Sequence, residues 1–313
     1  MTTTRRARQA AIGAVVCHLF SAALAAAQDM EPRAYSPSPV GANFLVTSYN
    51  WSTGAVVFDP TLPVTDVHAD VQGFVVALGH SFNLFGNLGL VTAAVPYAVA
   101  DITGRVLEAS SQVTRSGLAD ARFKVSVNLR GNPAMSAREF AATRRRTIVG
   151  TSLTVTAPAS QYYKTKLINL GTNRWSFKPE VGVSVPKGRW DLDGYVGVWL
   201  YTSNADFFPS ESLRTQDPLL AIQGHASYTL RPRLWVAADG TWYRGGSSRV
   251  DDGQASTSLN NSRLGVTVSF PVGRRYSAKV AYGSGVMART GTDFSTVAVA
   301  WQVLWLSPRW SGR

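Results

Sequence analysis

Read in steps of two, residues 174–185 separate into two rows of opposite character. Trp175, Phe177, Pro179, Val181, Val183 and Val185 make one row, and Arg174, Ser176, Lys178, Glu180, Gly182 and Ser184 make the other. Successive side chains of a strand point to opposite faces, so this segment reads as a strand with one apolar face and one charged or small-polar face. A single strand of this kind also suits a soluble sheet. The constraint comes from repetition, because the pattern returns about twelve times with no long apolar helix between the copies. Ala121, Phe123, Val125, Val127 and Leu129 alternate with Arg122, Lys124, Ser126, Asn128 and Arg130; Leu264, Val266, Val268 and Phe270 alternate with Arg263, Gly265, Thr267 and Ser269.

The N-terminus points to export. Arg5, Arg6 and Arg8 form a basic region, Ala10 to Leu24 an apolar stretch, and Ala25-Ala26-Ala27 a small-residue cleavage site. The apolar stretch is shorter than the roughly 20 residues of a membrane-spanning helix, so residues 1–27 are expected to be a cleaved signal peptide. The only cysteine, Cys17, lies within it. A cysteine-free mature chain excludes disulfide scaffolds, thiolate metal sites and cysteine nucleophiles. Loss of the three arginines takes the formal charge from +12 to +9. That charge is dispersed, its longest cluster being Arg144-Arg145-Arg146, and no nucleic-acid-binding module accompanies it.

Candidate strands lie near 41–51, 66–81, 87–99, 117–130, 146–157, 174–185, 189–203, 217–230, 233–244, 262–271, 275–285 and 293–305. Residues 71–79 are apolar on both faces, and Pro96 suggests a bulge or strand end. Connections alternate in length. Short ones fall at Asn83–Gly86, Pro186–Gly188, Arg231–Pro232 and Pro271–Arg274; longer ones at Ser52–Thr65, Ala100–Ser116, Pro158–Asn173, Asn204–Gln216, Gly245–Asn261 and Val286–Thr292. Outer-membrane barrels have short periplasmic turns and long outer loops. The connection 131–144 breaks the alternation, and Pro133 to Ala142 reads as a short helix with proline near its first turn.

In lipid every backbone polar group must pair internally, so a sheet with an apolar outer face must close. Trp175, Trp190, Tyr228, Trp242, Trp301 and Trp305 fall on the apolar rows near strand ends, where an interfacial aromatic girdle sits. The last strand ends in Trp301-Gln302-Val303-Leu304-Trp305, an apolar row closing on an aromatic residue. The expected fold is therefore all-β: one transmembrane, antiparallel, up-and-down β-barrel of about twelve strands of outer-membrane type. Residues 28–40 form a proline-rich lead, 41–305 the barrel and 306–313 a tail.

The segments Pro32-Arg33-Ala34-Tyr35-Ser36-Pro37-Ser38-Pro39-Val40-Gly41, Asn169-Leu170-Gly171-Thr172-Asn173-Arg174-Trp175-Ser176-Phe177-Lys178-Pro179-Glu180 and Gly245-Gly246 resemble the outer-membrane family named after the MetA pathway of phenol degradation. The resemblance covers essentially the whole mature chain. It implies an outer-membrane barrel, often labelled a transporter, that helps hydrophobic or aromatic compounds across. It supplies no catalytic or binding residues.

Parity places Arg122, Lys124, Arg174, Lys178, Glu180, Asp191, Asp193, His225, Asp239, Arg263 and Lys279 on the face opposite the lipid-facing row. Charges of both signs there fit either a salt-bridge network filling a narrow barrel or an aqueous path with modest anion preference. Gln28 to Val40 begins on the periplasmic side and reads either as a plug across the mouth or as a disordered lead. His225-Ala226-Ser227 resembles the His-x-Ser of outer-membrane phospholipase A, but here the pair faces inward, away from lipid. No metal-ligand spacing recurs, and no cofactor is expected. The expected function is a channel for passive passage of small molecules, aromatic or hydrophobic ones included. The alternatives are a closed structural or surface-binding barrel and an outer-membrane lipid hydrolase. The expected partners are outer-membrane lipid and lipopolysaccharide, the barrel-assembly machinery and a small solute, with no nucleic acid.

Overall fold

The alternation survives folding as an inversion of the usual rule of burial. The computed structural model describes residues 30–57, 64–106, 109–208, 211–288 and 291–307; the signal-peptide assignment and tail residues 308–313 lie outside them. Along residues 176–185 the polar row Ser176, Lys178, Glu180 and Ser184 is buried, whereas Val181, Val183 and Val185 are exposed. An apolar face turned outward around a whole sheet needs hydrocarbon, not water, beside it.

The strands are β1 (Ala42–Val57), β2 (Val64–Leu84), β3 (Asn87–Val106), β4 (Ala109–Leu118), β5 (Ala121–Arg130), β6 (Ile148–Ala157), β7 (Ser176–Lys187) and β8 (Trp190–Tyr201). They continue as β9 (Asn204–Phe207), β10 (Ser212–Gln216), β11 (Leu219–Arg231), β12 (Leu234–Gly245), β13 (Ser248–Val250), β14 (Leu259–Val272), β15 (Tyr276–Ala288) and β16 (Gly291–Leu306). Each barrel strand pairs antiparallel with its neighbour, and β1 pairs with both β2 and β16, closing the sheet. β4 and β5 share one stave, since β4 pairs with the outer half of β3 and β5 with its inner half, giving twelve staves.

Four tight turns mark one end of the barrel. At Phe85-Gly86 both residues take positive φ (49° and 87°), as a two-residue hairpin matched to the right-handed strand twist requires. The connection 131–147 is at the same end. Its helix, α1, spans Ala137–Ala142 and starts later than the Pro133 expected from sequence. Ser136 and Glu139 form a reciprocal capping box that satisfies the first amides, whereas Pro133 bridges to Asn87.

Three further expectations are corrected. Pro96 neither bulges nor ends its strand, and β3 continues to Val106. Pairing of β3 with β5 stops at Ala94 and with β4 starts at Tyr97, so the missing proline donor falls where the neighbouring stave breaks at Ala119-Asp120. Residues 117–130 are consequently two strands. Much of the connections at 100–116, 204–216 and 245–261 is also strand; β9, β10 and β13 form a separate three-stranded sheet at the long-loop end.

The outward aromatics lie at two levels. Trp190, Tyr228, Trp301 and Trp305 stand toward the tight-turn end and Trp175 and Trp242 toward the other. Trp190 and Tyr228 meet edge to face at 4.9 Å between centroids.

Candidate functional site: the barrel lumen

Arg174, Lys178, Glu180, Asp191, Asp193, His225, Asp239 and Arg263 are buried, while Arg122, Lys124 and Lys279 are half-buried. They do not form one site. Arg174 stands at the outer end, donating to Gln216 of β10 and stacking 4.5 Å over the ring of Tyr201. Arg263 donates to the Phe294 carbonyl at 3.1 Å and to Thr296 Oγ1 at 3.3 Å. In the middle, Lys178 Nζ pairs with Glu180 Oε2 at 3.1 Å. His225 Nδ1 lies 2.7 Å from Asp239 Oδ1, and Thr267 donates to the other Asp239 oxygen at 2.6 Å. Asp191 and Asp193 lie near the tight-turn mouth.

Several of them, Lys124, Glu180, Asp191 and Asp193, meet residues 30–40, a strap that runs through the lumen. Its start in β1 is fixed by hydrogen bonds from Val40 N to the Met135 carbonyl and from Gly41 N to the Ser81 carbonyl, 2.8 and 2.9 Å. Tyr35, only 2% exposed, packs edge-on against Tyr195 at 5.3 Å, with its hydroxyl 3.2 Å from Glu180 Oε1 and 3.3 Å from Ser152 Oγ. Gly150 of β6 and Gly182 of β7 make room for the ring; a Cβ on either would come within 2.3 Å of a Tyr35 ring carbon.

Arg33 is gripped from several sides. Its amide donates to Asp193 at 3.1 Å, its guanidinium meets Asp191 and Thr229 at 2.8 Å each, and it lies 4.7 Å over the Trp235 ring. Asp191 also pairs with Arg145 from the segment after α1. Burial and the neighbouring Arg145 pull the Arg33 guanidinium down to about 10, so it stays charged at neutral pH. Further along, Glu31 pairs with Lys124 of β5 at 2.8 Å. Met30 reaches the opposite wall, where its methyl group fills the space beside Gly265 and Gly283. Lys124, with Lys178 and Lys279 beyond, holds the Glu31 carboxyl down to about 2.

The outer end is organised differently. At the β4/β5 break, Asp120 accepts from Ser160 Oγ at 2.7 Å, Thr172 N at 2.8 Å and Thr172 Oγ1 at 2.9 Å, tying residues 158–173 down as a lid. The lid presses Leu167, Ile168 and Leu170 onto inward-facing Val67, Ala69, Val71, Ala98, Ala100, Ile102 and Phe294. Here the lumen wall is apolar.

Closed antiparallel staves, an apolar exterior and a polar interior define an outer-membrane β-barrel. The family described as "Putative MetA-pathway of phenol degradation" matches residues 43–307, and the chain belongs to that family. The structure is similar to the COG4313 outer membrane channel of Pseudomonas putida F1, with TM-score 0.76 and 20% identity, covering 88% of this chain and 99% of that one. It is less similar to the transport unit of the autotransporter AIDA-I of Escherichia coli, with TM-score 0.52 and 9% identity, covering 91% and 97%. No curated protein matches the chain in sequence.

Proposed function

We propose that this barrel is a passive outer-membrane channel for small aromatic or apolar molecules, closed at rest by its strap and its lid. The observation that carries the reading is the apolar, inward-facing patch of wall on which Leu167, Ile168 and Leu170 pack. A barrel that only needed filling would carry polar pairs there as elsewhere, whereas an apolar inward wall gives an apolar solute a place to leave water. The likeness to an outer membrane channel supports the same reading. Its surroundings are outer-membrane lipid and lipopolysaccharide, and its route there is the barrel-assembly machinery.

Conduction, not catalysis, is the role we assign. Ser227 Oγ has no hydrogen-bond partner among the described residues, so no bond links it to His225 as a nucleophile is linked to its base. A second reading, a closed barrel working through its outer surface, draws on the β9–β10–β13 sheet.

Planar-bilayer recordings and toluene uptake into liposomes test the proposal on the refolded mature chain. The intact protein should conduct ions poorly yet speed toluene entry, and removal of Gln28 to Pro39 should produce steady ohmic steps. Unchanged conductance after that deletion, with no toluene uptake by either form, would sink the channel and leave the surface-binding reading.

A further inference from the structure

The connection 131–147, the one that breaks the alternation of short and long, encloses with the strap a pocket of about 200 Å³ at the tight-turn mouth. Arg33 and Pro37 of the strap line one side, Asn132 and Phe140 of the connection another, and Pro186 and Asp191 the barrel wall. Arg144, Arg145 and Arg146 also line it, so four arginines with Arg33 stand against two carboxylates, Asp191 and Asp193, a surplus of two positive charges. Both carboxylates are already engaged. Asp191 meets the Arg33 guanidinium at 2.8 Å and Arg145; Asp193 accepts from the Arg33 amide at 3.1 Å and from Ser184 Oγ. The surplus therefore sits on Arg144 and Arg146, whose side chains have neither hydrogen bond nor ion pair among the described residues. Two donor atoms of the same lining, Asn132 Nδ2 and Arg33 Nε, are buried without a hydrogen-bond partner among the described residues, and Asn132 is only 3% exposed. A buried donor without an acceptor is costly, and here two line one pocket.

We propose that this pocket is a binding site for a small organic carboxylate with an apolar body, of the size of one ring bearing one carboxylate. A carboxylate supplies acceptors for unpartnered donors and negative charge for Arg144 and Arg146. The apolar half of the assignment comes from Pro37, Phe140 and Pro186, which are half-buried and line the pocket with the buried Ile148. A ring set against them leaves water, and a proline or phenylalanine face costs it no polar partner. Size agrees: an engineered cavity of about 150 Å³ holds benzene, so about 200 Å³ admits one ring with its carboxylate. Ile148, Asp191 and Asp193 occupy inward-facing positions of the wall, away from the bilayer, which sets a membrane lipid aside as the occupant. The site lies at the end of the barrel opposite the lid and does not depend on the channel reading.

The test is calorimetric titration of the folded mature chain in detergent with benzoate, acetate, benzyl alcohol and inorganic phosphate, folding being verified by heat-dependent gel mobility. Benzoate should saturate one site, and the other three should bind at least about tenfold more weakly, since acetate and phosphate lack the apolar body and the alcohol lacks the charge. Asn132→Leu is nearly isosteric and removes a donor; Arg144→Gln with Arg146→Gln removes the surplus charge. Each should weaken benzoate by about tenfold or more. Arg189→Gln with Arg231→Gln, which changes two exposed arginines of the same end outside the pocket, should leave benzoate binding as in the wild type. Absence of saturable benzoate binding, or unchanged affinity in Asn132→Leu, overturns the pocket. Equal losses in the two arginine pairs reduce the attraction to the general positive field and overturn it as well. A comparator that binds as tightly as benzoate overturns the assignment of an organic carboxylate. None of these outcomes bears on the channel reading, which stands or falls on toluene uptake.

Discussion

Residues 30–40 meet the barrel wall through charged and hydrogen-bonding groups: Glu31 on Lys124, Arg33 on Asp191 and Asp193, Tyr35 near Glu180 and Ser152. Residues 158–173 meet it through Leu167, Ile168 and Leu170 on an apolar patch of the wall, with the Asp120 carboxylate as a polar tether and Arg115 of β4 donating to the Ile168 carbonyl at 2.9 Å. The two closures should respond to different perturbations. Ion pairs in a wet lumen are weakened by salt and by protonation. Apolar packing is indifferent to both and yields to a solute that competes for the same surface. A barrel closed in both ways can keep ions out while letting an apolar molecule enter from the outer end.

The largest expected effect is on the lid. In Asp120→Ala the side-chain and backbone donors of Ser160 and Thr172 lose a shared charged acceptor at the strand break. Hydrogen bonds to charged groups contribute roughly 1.5–3 kcal/mol each and are not additive, so lid closure should weaken by about 3 kcal/mol. Amide exchange at residues 158–173 should accelerate by about a hundredfold while exchange in the strap stays the same. Equal acceleration in both segments would show that the two closures are one cooperative unit, and the contrast would fail.

The barrel itself was legible in sequence because its signal is local: a period of two, an even number of candidate strands and alternating connection lengths. The regions that were not legible depend on distant partners. The Ala119-Asp120 break answers a proline on the adjacent stave, so its cause lies more than twenty positions earlier, at Pro96. β9 and β13 are Asn-Ala-Asp-Phe and Ser-Arg-Val, too short to display any period. The strap has no periodicity at all, and its path is written in the glycines it passes, Gly150 and Gly182, which in sequence are merely small residues on a polar row. Parity assigns Lys124, Lys178 and Lys279 to a face. Only the register and curvature of the closed sheet bring them around Glu31.

A smaller effect is expected for the strap when it is crowded instead of the lid being untethered. Gly150→Ala places a methyl group 2.3 Å from a Tyr35 ring carbon, and Tyr35 is wedged against Tyr195 and the opposing Gly182. Overpacking of this kind costs about 1–3 kcal/mol. Displacement of the strap is easier than deformation of two paired strands, so the variant should show brief conductance steps, with lid exchange as in the wild type. Tyr35→Ala combined with Gly150→Ala removes the clash and should return the recordings to those of Tyr35→Ala alone. Steps that persist beyond that level would place the strain in the barrel wall.

The smallest expected effect is on the Glu31 anchor alone, and its sign follows from the direction of its titration. The carboxyl sits at about 2 when docked, against an ordinary value of 4.5, chiefly because Lys124 stabilises its charged form. A depressed carboxyl contributes docking stability that is fully present above the undocked value and is lost as pH falls toward the docked one. Lowering the pH from neutrality to about 4.5 should therefore leave this anchor intact, and lowering it further toward 2 should release it. Arg33, at about 10, stays protonated across that window, so its own charge does not change there. Conductance noise recorded between pH 5 and pH 3 should rise in the wild type and be flat in Glu31→Gln, which has no proton to take up. In Asp120→Ala, whose lid has lost its carboxylate tether, lid exchange over the same range should not follow the titration. A parallel pH response in the two segments would mean that the ionic and the apolar closure are coupled through the wall between them.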